Sequence, residues 1–168
     1  MKKTAIIYSF NATKSAKIAE KIKEEFGEES VEMVNAEEIN GEKFQAYDNL
    51  ILGAPTWFDG ELPNYWDEFV PELEELDLSG KNVAIFGLGD QKKYPENFVD
   101  AIGILSELLK DRGAKIVGYT STEGYEFESS RGVDGDQFMG LAIDYENQGS
   151  KNKERVHNWV EQIKKDFD

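Results

Sequence analysis

The chain has 168 residues, enough for one domain with a sizeable core. Lys and Arg total 19 against 34 Asp and Glu, a formal net charge of −15 that repels nucleic acid and anionic membrane surfaces and suits docking on a basic partner. The lack of cysteine excludes disulfides, thiolate catalysis and iron–sulfur clusters, and a single histidine, His157, leaves no His-based metal cluster or Ser-His-Asp triad, so no metal site is expected.

In chain order, Thr4-Ala5-Ile6-Ile7-Tyr8 reads as a buried strand, too short for a signal segment or a membrane span, which makes the cytoplasm the expected compartment. Lys14 to Phe26 places Ala16, Ile18, Ala19, Ile22 and Phe26 on one helical face, with Gly27 as the stop. Val31 to Val34 is a short second strand. Leu50-Ile51-Leu52-Gly53 is a third, apolar throughout, as a strand covered on both faces must be. Leu62 to Leu73 is a helix entered through Pro63, with Trp66, Phe69 and Val70 inward. Asn82 to Phe86 is a fourth strand and Asn97 to Arg112 a helix stopped at Gly113. Lys115 to Gly118 starts a fifth strand, and Asn152 to Phe167 closes the chain as a helix with Val156, Trp159, Val160 and Ile163 inward. Trp66 and Trp159 are expected in the core and His157 at the surface.

Strands alternating with helices imply an α/β fold: a doubly wound, five-stranded parallel sheet with helices on both faces. The order 2-1-3-4-5 fits, within a single domain over residues 1–168. Tyr119 to Met139 breaks the rhythm. It is polar, aromatic and Gly-bearing, and Leu141-Ala142-Ile143-Asp144 then reads as strand again, so an irregular insertion is expected to split the fifth strand.

In such a sheet ligands bind beyond the C-terminal strand ends, at the switch point between strands one and three. After strand one, Ser9-Phe10-Asn11-Ala12-Thr13-Lys14-Ser15 runs into a helix. It is a phosphate site made of helix N-terminal amides and hydroxyls, or an ordinary N-cap made by Ser9, Asn11 or Thr13. After strand three, Trp57-Phe58 either covers something flat or folds back on the core. After strand four, Gly87-Leu88-Gly89-Asp90 lets backbone approach a ligand, Asp90 is an acceptor for an imide-type N–H, and Tyr94 offers a second aromatic face; the plainer reading is a turn with a surface Tyr. Together the three loops suit a flat heteroaromatic ring with a phosphate tail.

The runs Ile51 to Trp57, Gly60-Glu61-Leu62-Pro63, Val83 to Gln91, Tyr94 to Phe98, Asp111 to Gly118, Gly124 to Ser130 and Gly140 to Asp144, with Asn147-Gln148, resemble the flavodoxins, specifically the long-chain group. The resemblance covers nearly the whole chain. It implies a low-potential one-electron carrier that binds FMN without a covalent link and shuttles electrons between redox enzymes. It places the FMN contacts on Ser9, Phe10, Asn11, Ala12, Thr13, Lys14 and Ser15 in the first loop, and on Pro55, Thr56, Trp57, Phe58, Asp59 and Gly60 in the second. Gly87, Leu88, Gly89, Asp90 and Tyr94 follow in the third, with Asp144 near the ribityl chain. Trp57 and Tyr94 would sandwich the ring. The phosphate loop departs from the family's usual Thr-Gly-x-Thr, since Ala12, Thr13, Lys14 and Ser15 stand there, with Phe10 where Ser is common. In the family the peptide after the stacking Trp flips to accept a hydrogen bond from the reduced ring. Here it is Phe58–Asp59, and Phe58 resists positive φ, so a less stabilised one-electron-reduced flavin is expected than with Gly there.

Asp59, Glu61, Asp67 and Glu68 ring the expected edge of the flavin, or else form a solvated helix start. The first reading makes the partners redox proteins with basic docking patches, reductases and oxidoreductases, and the carrier a monomer. A flavodoxin-fold FMN-dependent quinone or NAD(P)H reductase is the alternative function, and a flavin-free binding module a third. A receiver domain is set aside because Gly53 and Ala54 stand where it needs Asp.

Overall fold

The computed structural model describes residues 3–57 and 59–167. Five parallel positions build the main sheet. Strands β1 (Thr4–Tyr8), β2 (Glu32–Asn35), β3 (Asn49–Pro55), β4 (Asn82–Leu88) and β5 (Lys115–Val117) run in the order β2-β1-β3-β4-β5, the order expected. The longest ladder joins β3 to β4, from Asn49 opposite Asn82 to Pro55 opposite Leu88. Side chains alternate across the strands, so Ile6, Ile51, Ala84 and Phe86 point to one face while Ala5, Ile7, Leu50, Leu52, Val83 and Ile85 point to the other.

Helices α1 (Thr13–Phe26) and α6 (Asn152–Phe167) cover the first face with Ile18, Ile22, Val156, Trp159, Val160 and Ile163. Helices α3 (Asn64–Leu73) and α4 (Asp100–Asp111) cover the second with Trp66, Phe69, Leu73, Ala101, Ile102, Leu105 and Leu109. Both expected core tryptophans are buried, and their indole N–H groups tie helix to sheet. Trp66 donates to the Gly53 carbonyl at 3.0 Å and Trp159 to the Gly118 carbonyl at 2.8 Å. His157 lies at the surface, its Nδ1 2.8 Å from Glu25 on α1.

The fifth position is split as expected. β5 lies beside Asn82–Ala84, and strand β9 (Leu141–Ile143) takes the same side of β4 beside Phe86–Leu88. The intervening insertion is irregular for most of its length but holds a small sheet that was not expected. Strands β6 (Thr120–Ser121), β7 (Val133–Asp134) and β8 (Gln137–Phe138) form a small antiparallel sheet in the order β6-β8-β7. Two-residue strands carry no readable period, which is why the pattern missed them. The same brevity hid α2 (Gly41–Gln45) and α5 (Tyr145–Gln148).

Helix α4 starts at Asp100, not Asn97. The carbonyls of Pro95, Glu96 and Phe98 accept bonds from the insertion: the N–H groups of Glu128 and Ser129 reach Pro95 at 2.7 and 3.0 Å, Ser129 Oγ reaches Glu96 at 2.7 Å, and Ser130 Oγ reaches Phe98. Tertiary donors thus take acceptors that a helix would have used. Val99, buried, closes the turn at φ +47°, a conformation a β-branched residue adopts only when its surroundings impose it. Among the described residues no helix is long and apolar enough to cross a membrane.

Candidate functional site

At the C-terminal strand ends the three loops meet around a cleft of about 620 Å³. Ala12, Thr13, Lys14 and Ser15 form its first wall, Pro55 and Thr56 its second, and Leu88, Gly89, Asp90 and Tyr94 its third. These ten of the residues singled out in the sequence are brought together. Lys93, Tyr145 and Glu146 complete the lining and were missed. Lys93 directly precedes Tyr94 in the third loop, which is the signal that could have found it. Tyr145 and Glu146 follow β9 directly, and strand ends are where ligands bind.

The first wall is the start of α1. Ala12 occupies its N-cap and offers no side-chain cap, and no acidic residue stands in the first turn. The first amides of the helix therefore face the cleft region without a built-in acceptor, the arrangement that attracts an anion. Thr13 and Ser15 add hydroxyls, and Lys14 forms an ion pair with Glu146 across the cleft.

Other expected donors of this loop point elsewhere. Ser9 Oγ donates to Glu37 Oε2 at 2.9 Å, and Asn11 Nδ2 donates to the same oxygen at 2.7 Å. Neither lies in the cleft wall, and neither caps α1, which corrects the N-cap reading for both. Phe10 is 48% exposed beside the loop and packs on Tyr8 at 5.0 Å between ring centroids.

The second loop is a tight turn. Trp57 and Glu61 exchange both backbone hydrogen bonds, at 2.8 and 2.7 Å. Gly60 makes this possible with φ +90°, and a side chain there would strike Asp100 and Asn97. Trp57 is 37% exposed, with its ring edge-on to Tyr65, so it does not fold back into the core. Thr56 Oγ1 accepts the Ala101 N–H at 3.0 Å and so caps α4 as well as lining the cleft. Asp59 is exposed and its carbonyl accepts from Asn97 Nδ2 at 3.3 Å. Phe58, and with it the expected flipping peptide, lies outside the described residues.

In the third loop Tyr94 is 49% exposed, with the Lys93 ammonium 5.6 Å from its ring centre. Asp90 Oδ1 accepts from the N–H groups of Lys92 (3.2 Å) and Lys93 (2.9 Å) and from Asn147 Nδ2 (2.7 Å). Burial opposes the charge on Asp90, but those bonds and the Lys93 cation outweigh it and hold the carboxyl below its ordinary pKa. Gly87 is buried inside β4 against Ile102, away from the cleft wall.

Asp144 is fully buried behind this loop. Its Oδ2 accepts from the Gln91 N–H at 3.0 Å and Gln91 Nε2 at 2.7 Å, and its Oδ1 accepts the Asn147 N–H at 3.0 Å. Gln91 Oε1 in turn accepts the Glu126 N–H at 2.5 Å, which joins the insertion to the network. Asp144 thus holds the third loop and lies outside the cleft wall.

The flavodoxin family model matches residues 6–159. The chain is 42% identical over 165 residues to Flavodoxin 1 of Escherichia coli, covering 98% of this chain and 94% of that protein. It is 42% identical over 166 residues to the flavodoxin of a Nostoc species, covering 99% and 98%. Among solved structures, Fusobacterium nucleatum flavodoxin bound to flavin mononucleotide superposes with a TM-score of 0.94 at 32% identity, covering the whole of both chains.

Proposed function

The chain belongs to the flavodoxin family, and from that premise we propose that it is an electron carrier that binds FMN non-covalently in the cleft between its three loops and passes single electrons between redox proteins. The observation that carries the cofactor assignment is the uncapped start of α1 facing a cleft lined by the exposed ring of Tyr94, with the exposed ring of Trp57 next in the chain to Thr56 of its second wall. A phosphate fits the helix start and a flat ring the two aromatic side chains. The reductase alternative is not favoured, because the relatives are named as flavodoxins.

When bound, the flavin supplies the one-electron chemistry. The chain's residues hold it. The amides and hydroxyls of Ala12 to Ser15 would take the phosphate end, with Lys14 near it. Trp57 and Tyr94 would cover the ring and exclude water, and the backbone from Leu88 to Asp90 would meet its polar edge. Ser9, Phe10, Asn11, Asp59, Gly60, Gly87 and Asp144 would act around these contacts by setting the geometry of the loops, and Phe58 would follow the covering Trp57 in the chain. The net charge of −15 disfavours adding negative charge to the ring and so favours a low potential.

Asp59, Glu61, Asp67 and Glu68 are all exposed beside the Trp57 turn. They suit docking on a basic patch of a reductase or oxidoreductase, with attraction that salt screens. The same reading makes the protein a cytoplasmic, monomeric, single-domain carrier of the long-chain type. Titration of the apoprotein with FMN tests the assignment. One equivalent should quench the flavin fluorescence, with loss of most of the quenching in a Trp57→Ala, Tyr94→Ala double variant. Unquenched flavin with the wild-type apoprotein would overturn it.

A further inference from the structure

The segment between β1 and α1 is held from behind by a carboxylate that the mechanism above does not use. Asn35, at the end of β2, accepts the N–H of Phe10 at 3.3 Å and the N–H of Glu37 at 3.1 Å through the same Oδ1. That fork binds the end of β2 to the loop and aims Glu37 at it. Glu37 Oε2 then receives Ser9 Oγ at 2.9 Å and Asn11 Nδ2 at 2.7 Å. Asn11 immediately precedes Ala12, the first residue of the cleft wall. A formal negative charge is therefore bound to the segment that leads into the amides laid out for an anion, and it occupies two side-chain donors of that segment.

We propose that Glu37 is a specificity-determining residue that sets how strongly this protein prefers a phosphorylated flavin over a dephosphorylated one. The inference rests on the FMN reading. A phosphomonoester carries a charge of about −1.5 to −2 near neutral pH, and riboflavin lacks it. Glu37 opposes that charge and withholds Ser9 and Asn11 from it, while touching nothing that the ring requires. Its signature is accordingly a change in the ratio of two affinities, not in both together.

Glu37→Gln keeps an oxygen acceptor for Ser9 and Asn11 and removes the charge. Dissociation constants of the apoprotein for FMN and for riboflavin, measured by fluorescence quenching, should show FMN bound about two- to fivefold more tightly by the variant, the scale of one partly exposed charge contact. Riboflavin affinity should stay the same, and the gain should shrink as salt rises. Glu38→Gln removes an equal charge one residue along, from a side chain with no hydrogen bond to the loop among the described residues, and should leave the ratio unchanged. Equal changes for both flavins, weaker FMN binding by Glu37→Gln, or the same gain from Glu38→Gln would each overturn the proposal. Wild-type apoprotein that binds neither flavin would instead remove the FMN reading on which it stands.

Discussion

Asp144 and Glu37 show what single residues do around this cleft. Both carboxylates face loop residues, yet one is fully buried and satisfied by Gln91 and Asn147, and the other is exposed and satisfied by Ser9 and Asn11. Burial decides what their loss does. Asp144→Ala leaves the two buried Gln91 donors without their acceptor, at a cost of about 2–3 kcal/mol. Urea unfolding at constant slope should show that loss, and a change below about 1 kcal/mol would mean that water replaces the carboxylate. At this scale much of the site was legible. Trp57, Asp90 and Tyr94 lie on loops that follow apolar strands, so their place at the cleft or beside it followed from the strand pattern. Glu37 was not legible, because its reach to Ser9 depends, beyond the expected pairing of β2 with β1, on the Asn35 fork, which leaves no trace in spacing.

Among the elements, the insertion is the one whose structure differs most from expectation. The insertion packs on α4 and fastens the segment from Gln91 to Asp100 through the loop that precedes β7, with the Arg131 N–H on buried Asp100 at 2.8 Å and the Glu126 N–H on Gln91 at 2.5 Å. The 57–61 turn leans on the same point, since Asn97 bridges the Asp59 carbonyl and Asp100. The insertion therefore braces two of the three cleft loops through the start of α4. Contact at Gly103 is the tightest part of the packing on α4: an added Cβ would lie 1.9 Å from the Arg131 carbonyl oxygen, and backbone cannot swing aside as a side chain can. In an open helix Gly→Ala stabilises by about 1 kcal/mol. Here Gly103→Ala should destabilise by about 1–3 kcal/mol through overpacking, measured by chemical denaturation. A gain in stability would show that the insertion lifts freely off α4. The late start of α4 belongs to the same contact, because the hydroxyls of Ser129 and Ser130 take the Glu96 and Phe98 carbonyls that a helix starting at Asn97 would use.

The whole molecule carries 15 excess negative charges, and its tyrosines feel the fold that carries them. Burial together with Glu32 pushes Tyr47 up to about 12. Burial pushes Tyr125 up to about 12, against the Arg155 cation 4.1 Å from its ring centre and with Asp144 adding to the rise. Tyr8 and Tyr65 move the same way, chiefly by burial. A folded pKa above the unfolded value of about 10 means that the native state holds these protons more tightly. For Tyr47 and Tyr125 that stabilisation is complete below about pH 10 and is lost as pH rises through about 12. The urea midpoint should thus fall across that window in step with tyrosinate absorbance, and a flat midpoint would refute the shifts. The order of the sheet, the helices on both faces, the cleft at the strand ends and most of its walls were determined by the sequence alone. Those features rest on local periodicity, on the rule that places ligands beyond strand ends, and on a resemblance spread along the chain. Only the tertiary structure decided where α4 begins, that the insertion holds a small sheet and packs on that helix, and that Glu37 and Glu146 face the first loop. Each depends on donors and acceptors far apart in the chain, and a hydrogen bond between distant segments has no period to read.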